Sequence, residues 1–133
     1  MNQGERQTFG KNERLCSTRI IEGIFEKGKI FHTSHFKVIW IIPEIAIPSP
    51  AQIAFMVPRK IFRKAVTRNL IRRRMREAYR RQKQILYPFL EEKQIRLAFV
   101  LIYRKSIIPD YDSVYKSVGE AIEKLCNCLD ARE

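Results

Sequence analysis

Between residues 59 and 83 the chain reads RKIFRKAVTRNLIRRRMREAYRRQK, with 12 lysines and arginines against a single acid, Glu77. That stretch alone carries +11 of the formal net charge of +12, so the remainder of the chain is close to neutral. Wound at about 100° per residue, Asn69, Arg72, Arg73, Arg76, Arg80 and Lys83 share one face. Ile71, Met75, Ala78 and Tyr79 share another, which Ile85 and Leu86 continue. The run is therefore expected to fold as an amphipathic helix that buries its apolar stripe and presents its cationic one. A merely solvated helix face alternates signs and gains about 0.2–0.5 kcal/mol per (i, i+4) pair, whereas this face repels itself at nearly every such pair. A polyanion has to offset that repulsion. Arginine outnumbers lysine here, and its planar fork pairs bidentately with phosphate and stacks on bases, which points to nucleic acid.

With 133 residues, 45% of them hydrophobic, the chain is long enough for one core and short for two. One domain over 1–133 is expected, with residues 1–8 mobile because they are polar and hold a glycine. Uncharged apolar runs such as residues 38–42 fall far short of a membrane span, and the start MNQGERQTFGKNER has no apolar core resembling a signal peptide. The expectation is a soluble cytoplasmic protein that engages no membrane. Cys16, Cys126 and Cys128 are an odd set without a CxxC pair, so neither a disulfide framework nor a zinc site is indicated. Reduced thiols suit the cytoplasm.

Reading along the chain, Ser17 is a plausible N-cap for a short helix with Ile20, Ile21, Ile24 and Phe25 apolar and Gly28 at its C′ stop. FKVIWII, residues 36–42, reads as a strand ended by Pro43, and a second strand covers 52–57. The pattern allows a short additional strand at 29–32. The basic helix is expected from about Arg63 to just before Pro88, because the residue ahead of a proline is pushed out of helical geometry. IRLAFVLIY, residues 95–103, is apolar on both parities, as a central strand buried on both faces would be. A last helix, capped by Asp112 or Ser113, carries Val114, Val118, Ile122, Leu125 and Leu129 at helical spacing. The order α-β-β-α-β-α implies an α/β or α+β two-layer sandwich with a mixed sheet.

A protein nuclease needs clustered carboxylates for metal ions, or a His or Lys acid–base pair beside the scissile phosphate. The basic run offers one carboxylate. Asp110 and Asp112 are explained by capping and the helix dipole. His32 and His35 have a metal-like spacing but no Cys, Asp or Glu near them in sequence, and read as surface or loop histidines. There is no GxGxxG or GxxxxGK phosphate loop. The polypeptide alone reads as non-catalytic, without a cofactor of its own.

The run KAVTRNLIRRRMREAYR, residues 64–80, resembles the signature of the protein component of bacterial ribonuclease P, whose pattern is close to K-A-V-x-R-N-R-I-K-R-x-x-R-E. Lys64, Ala65, Val66, Arg68, Asn69, Ile71, Arg73, Arg76 and Glu77 match, with Arg72 as Arg for Lys. Upstream, VPRK resembles the family's strand end, and FGKNERL at 9–15 resembles its F-x-K-x-x-R-L. Leu70 departs from the pattern at the third place of Arg-Asn-Arg, so a phosphate contact there is absent or comes from Arg74, one turn on. IFR at 61–63 lacks the glycine that many members place before the motif.

The resemblance implies an enzyme in the sense of a holoenzyme subunit. The assembly is an endoribonuclease that removes the 5′ leader of precursor tRNA, with catalysis by the ribonuclease P RNA and its Mg²⁺ ions. The partners implied are that RNA and precursor tRNA, with no small-molecule substrate. Arg59, Lys60, Lys64, Arg68, Asn69, Arg72, Arg73, Arg76 and Arg80 would face the catalytic RNA. A groove between the first helix and the sheet would take the leader, lined by Lys11, Arg14, Ile21, Phe25, Lys37 and Ile39; the other strand register would turn Phe36 or Trp40 there instead. The family's βαβ crossover through the motif helix is left-handed, against the usual rule. The competing reading is a general basic RNA-binding protein, for instance a ribosome-associated one. A DNA-binding helix-turn-helix fits less well, since strands flank the basic helix, and a self-sufficient nuclease fits least.

Overall fold

The computed structural model describes residues 9–131; the expected mobility of 1–8 lies outside them. A 3-10 turn at Lys11–Glu13 leads into α1 (Thr18–Lys27), β1 (Lys29–His32), β2 (Phe36–Ile41) and β3 (Ala51–Met56). Then follow α2 (Ala65–Arg80), α3 (Lys83–Lys93), β4 (Leu97–Tyr103) and α4 (Tyr111–Ala131). The strands order as β1-β2-β4-β3, with β3 parallel to β4 and the other pairs antiparallel. This is the mixed, helix-covered sheet that the sequence implies, and it includes the short strand at 29–32.

The pleat sends alternate residues to opposite faces. Phe36, Val38 and Trp40 of β2, Ile53 of β3, and Leu97, Phe99, Leu101 and Tyr103 of β4 form one core with Ile71, Met75, Ala78 and Tyr79 of α2. Leu86 and Leu90 of α3 and Val114, Val118, Ile122, Leu125 and Leu129 of α4 complete it. On the other face Ile39, Ala98 and Val100 meet Ile20 and Ile24 of α1, together with Leu15 and Ile47. Burial of each such side chain is worth roughly 1.5–3 kcal/mol, so two isoleucines anchor α1. Ser17 caps it, its hydroxyl accepting from the Ile20 N–H at 3.3 Å. Gly28 ends it for a different reason from the expected left-handed stop: its φ is −68°. A Cβ there would stand 2.4 Å from the Ile24 carbonyl oxygen and 2.6 Å from Ile39 Cγ2, so glycine is needed for close approach to β2.

Chirality gives the hand of the crossover. Viewed along a strand of L-residues with a side chain pointing up, that residue's N–H points right. Leu97 turns its side chain to the α2 face and donates its N–H to the Pro50 carbonyl on the β3 side, at 3.0 Å. With α2 above, β3 therefore lies to the right of β4, and the chain passes from β3 over the helices to a strand on its left. The connection is left-handed, the rare case among parallel crossovers.

One long helix to residue 87 is not what forms. Gln82 has φ −121° and ends α2. Its side-chain amide donates to the Ala78 carbonyl (3.2 Å), which its own N–H would take in a continuous helix, and to the Tyr115 carbonyl of α4 (2.9 Å). The chain then restarts as α3 with Pro88 inside it. A mid-helix proline costs about 3 kcal/mol, and burial of Leu86 and Leu90 at roughly 1.5–3 kcal/mol each offsets it. The break turns Lys83 away from the cationic face and leaves Ile85 exposed, while Leu86 stays in the core. The cap of α4 is Asp110, whose carboxylate accepts from the Ser113 N–H at 3.1 Å, and not Asp112 or Ser113.

Candidate RNA interface

The apolar stripe of α2 is buried as its spacing requires, which fixes the rotation of the opposite face. On that face Arg72 donates to the Asn69 side-chain carbonyl. Arg80 pairs with Glu77 at 2.6 Å, and this bond holds the Glu77 carboxyl below its ordinary range. Arg68 donates to the Phe62 and Arg63 carbonyls at 2.9 and 2.8 Å, closing the loop that lacks the family glycine onto the first turn of α2. Arg73 and Arg76 are exposed and hold no hydrogen bond or ion pair among the described residues. Arg59, Lys60 and Lys64 are exposed in the approach to the helix. Arg74 is committed elsewhere: it donates to the Pro109 carbonyl at 2.5 Å, tying α2 to the start of α4. The place of Leu70 in the motif is therefore not filled by its neighbour.

On the other face of the sheet, Lys37 pairs with Ile102 and Ile102 with Met56, so the three form a row across β2, β4 and β3. A Cβ added to Gly23, on one flank of α1, would stand 3.5 Å from Ile41 Cδ1. The opposite flank carries Phe25 and Ile21, of which Ile21 packs against the cluster that also takes Met56 and Ile102. Ile21, Ala54, Met56 and Ile102 are half-buried against the α1 cluster, whereas Phe25 is 53% exposed. Of the strand residues expected to line a groove, Lys37 stands in the row, and Ile39, 3% exposed, lies under α1 as its floor. Phe36 and Trp40 belong to the opposite face. Sequence reasoning missed Ala54, Met56 and Ile102. The alternation in β3 carried the signal for the first two; nothing in β4, apolar on both parities, marked Ile102. A groove of about 910 Å³ opens between α1 and residues 40–45; Ile21 and Phe25 line it as well, and its Glu22, Glu26 and Glu44 are balanced by Arg19, Lys27 and Lys29.

Residues 9–15 run along the edge of β3. Leu15 donates its N–H to the Ile53 carbonyl at 3.0 Å, and Gln52 Nε2 donates to the Asn12 carbonyl at 3.0 Å. Phe9 packs edge-on against Phe55 and Tyr79, with centroids 5.6 and 6.0 Å apart. Lys11 and Arg14 are left exposed, with Arg14 bridged to Ile53. His32 and His35 do not come together as ligands: His32 is exposed, and His35 stacks on Tyr103 with Nδ1 3.0 Å from the Ser34 hydroxyl. Among the described residues no group of three or more His, Cys, Asp or Glu could hold a metal ion, and no helix is long and apolar enough to cross a membrane.

The chain is similar to known proteins. The chain is 35% identical over 128 residues to the ribonuclease P protein component of Petrotoga mobilis, covering 96% of this chain and 99% of that one. It is 30% identical over 120 residues to that of Porphyromonas gingivalis, covering 89% and 88%. The solved ribonuclease P protein of Thermotoga maritima superposes with a TM-score of 0.67 at 25% identity, over 84% of this chain and 96% of that one. The Staphylococcus aureus protein shares the fold at 21% identity, with a TM-score of 0.65 over 85% and 94%. The family profile described as ribonuclease P matches residues 9–126. A left-handed crossover, a motif helix with Arg73 and Arg76 exposed and matches over nearly the whole chain agree, and the chain belongs to the ribonuclease P protein family.

Proposed function

We propose that the chain assists ribonuclease P as an RNA-binding subunit with two contact surfaces, one for the catalytic RNA and one for the 5′ leader of precursor tRNA. The observation that carries this reading is the split of the molecule by its sheet. The α2 face, with Arg73 and Arg76 unpartnered among the described residues, lies on one side, and the half-buried apolar row lies on the other, the side of α1 and its exposed Phe25. Phosphates of folded RNA repel one another, and fixed guanidinium groups compensate them bidentately. An apolar row with an exposed aromatic ring and flanking cations suits single-stranded RNA, because stacking on a ring is tolerant of base identity. Lys11, Arg14 and Lys37 supply the backbone charge. Cleavage itself is assigned to the RNA subunit and its Mg²⁺. This chain's part is to hold both RNAs.

Purified chain with Mg²⁺ should leave precursor tRNA intact, and addition of a bacterial ribonuclease P RNA at low Mg²⁺ should yield 5′-mature product faster than that RNA alone. RNA-free cleavage at the mature 5′ end, surviving controls for contamination, would overturn the assignment.

A further inference from the structure

Within the 59–83 run one cation is withdrawn from solvent. The Lys83 side chain is 9% exposed and that of its partner Glu13 is 12% exposed, with Lys83 Nζ 2.6 Å from Glu13 Oε1. The Tyr87 hydroxyl donates to the same carboxylate oxygen at 2.6 Å, and the Gly10 N–H donates to the other at 2.8 Å. The Tyr79 hydroxyl donates to that of Tyr87 at 3.2 Å. Both oxygens of the carboxylate are thus occupied by donors from the N-terminal segment and from α3.

Glu13 sits between Lys11 and Arg14. Phe9 is anchored on Phe55 and Tyr79, and Leu15 is buried beneath α1, so the segment is fixed at both ends by apolar contacts. In between, Glu13 faces inward while Lys11, Asn12 and Arg14 face solvent. This clamp depends on the α2–α3 break. On an unbroken helix Lys83 would share the outer face with Arg76 and Arg80, and the Glu13 carboxylate would be withdrawn from water without its partner, which desolvation penalises.

We propose that Lys83 and Glu13 are positioning residues for leader binding: their buried pair holds segment 9–15 on the edge of β3, so that Lys11 and Arg14 are kept exposed on that edge for the leader's phosphates. The inference rests on the leader-binding reading above. Neither residue touches RNA. A segment that is docked only part of the time presents its cations only part of the time, and apparent affinity falls by that fraction.

The test uses holoenzyme reconstituted with a bacterial ribonuclease P RNA. Because Lys83→Met alone strands a buried carboxylate, the main variant is the neutral pair E13Q/K83M, with K83R as the conservative control and K11A/R14A as the reference for loss of the two cations. If the segment is undocked two thirds of the time in E13Q/K83M, preference for precursor over mature tRNA falls roughly threefold. Affinity for mature tRNA, and the salt dependence of binding to the catalytic RNA, stay at wild-type values. Trypsin cleavage after Lys11 and Arg14 accelerates by about tenfold or more as local opening increases. K83R behaves as wild type. A salt slope flattened by about one unit in E13Q/K83M would make Lys83 a phosphate ligand and overturn the proposal. So would an unchanged precursor preference in E13Q/K83M when K11A/R14A lowers it. Absence of any precursor preference in the wild type would remove the leader-binding reading itself, and the proposal with it.

Discussion

Arg73 and Arg74 are adjacent in sequence and opposite in use. Arg73 is exposed and has no partner among the described residues, whereas Arg74 closes a contact to the Pro109 carbonyl. Replacing Arg73 with Ala should leave the melting temperature unchanged and flatten the log–log salt dependence of binding to the catalytic RNA by about 0.7–0.9 units. Replacing Arg74 with Ala should leave that slope alone and cost about 1–2 kcal/mol of stability in a denaturant melt. Glu13 gives a pH signature. Burial by itself would raise its carboxyl, but the bonds from Gly10, Lys83 and Tyr87 outweigh burial and hold the pKa below its ordinary 4.5. A depressed folded pKa contributes stability that is present above the unfolded value and lost as pH falls through the folded one. The melting-temperature gap between wild type and Glu13→Gln should therefore be constant from pH 7 to about 5 and shrink below that. A gap that widens on acidification would contradict the network.

At the scale of elements, α1 shows what spacing and caps can reveal. Ser17 and the 20/24 pair were readable because both act within a turn or two of themselves. Gly28 was readable as a stop but not as a contact, since Ile39 is a neighbour only once β2 has formed. Gly28→Ala should lift the end of α1 off β2 and cost about 1–3 kcal/mol, read by chemical denaturation. Phe25→Ala, by contrast, should leave the fold intact, because the ring is exposed, and lower affinity for precursor tRNA by about 1–3 kcal/mol with mature tRNA unaffected. The α2–α3 break could not be seen in the run itself, whose helical period continues across 81–82. It is made by Gln82 reaching the Tyr115 carbonyl, a tertiary contact 33 residues away. The groove was half legible for a related reason. Ile21, Phe25 and Lys37 follow from local pattern and family resemblance. Ile102 was hidden because a strand buried on both faces has no polar alternation to separate them.

Over the whole molecule, the sheet separates the two proposed contact surfaces, and the left-handed crossover carries the charged helix to the face away from α1. Nearly all the net charge sits in one run and the other elements are close to neutral, so long-range attraction to RNA should act through α2 while the α1 side discriminates at short range. Photocrosslinking tests this division most directly. A photoreactive benzoylphenylalanine is placed at Phe25 in one preparation and at Arg76 in another, each in holoenzyme bound to precursor tRNA. The expected result is that position 25 labels leader nucleotides and loses its label with mature tRNA, while position 76 labels the catalytic RNA with either substrate. Crosslinks from position 25 to the catalytic RNA that persist with mature tRNA, or from position 76 to the leader, would contradict the two-surface arrangement.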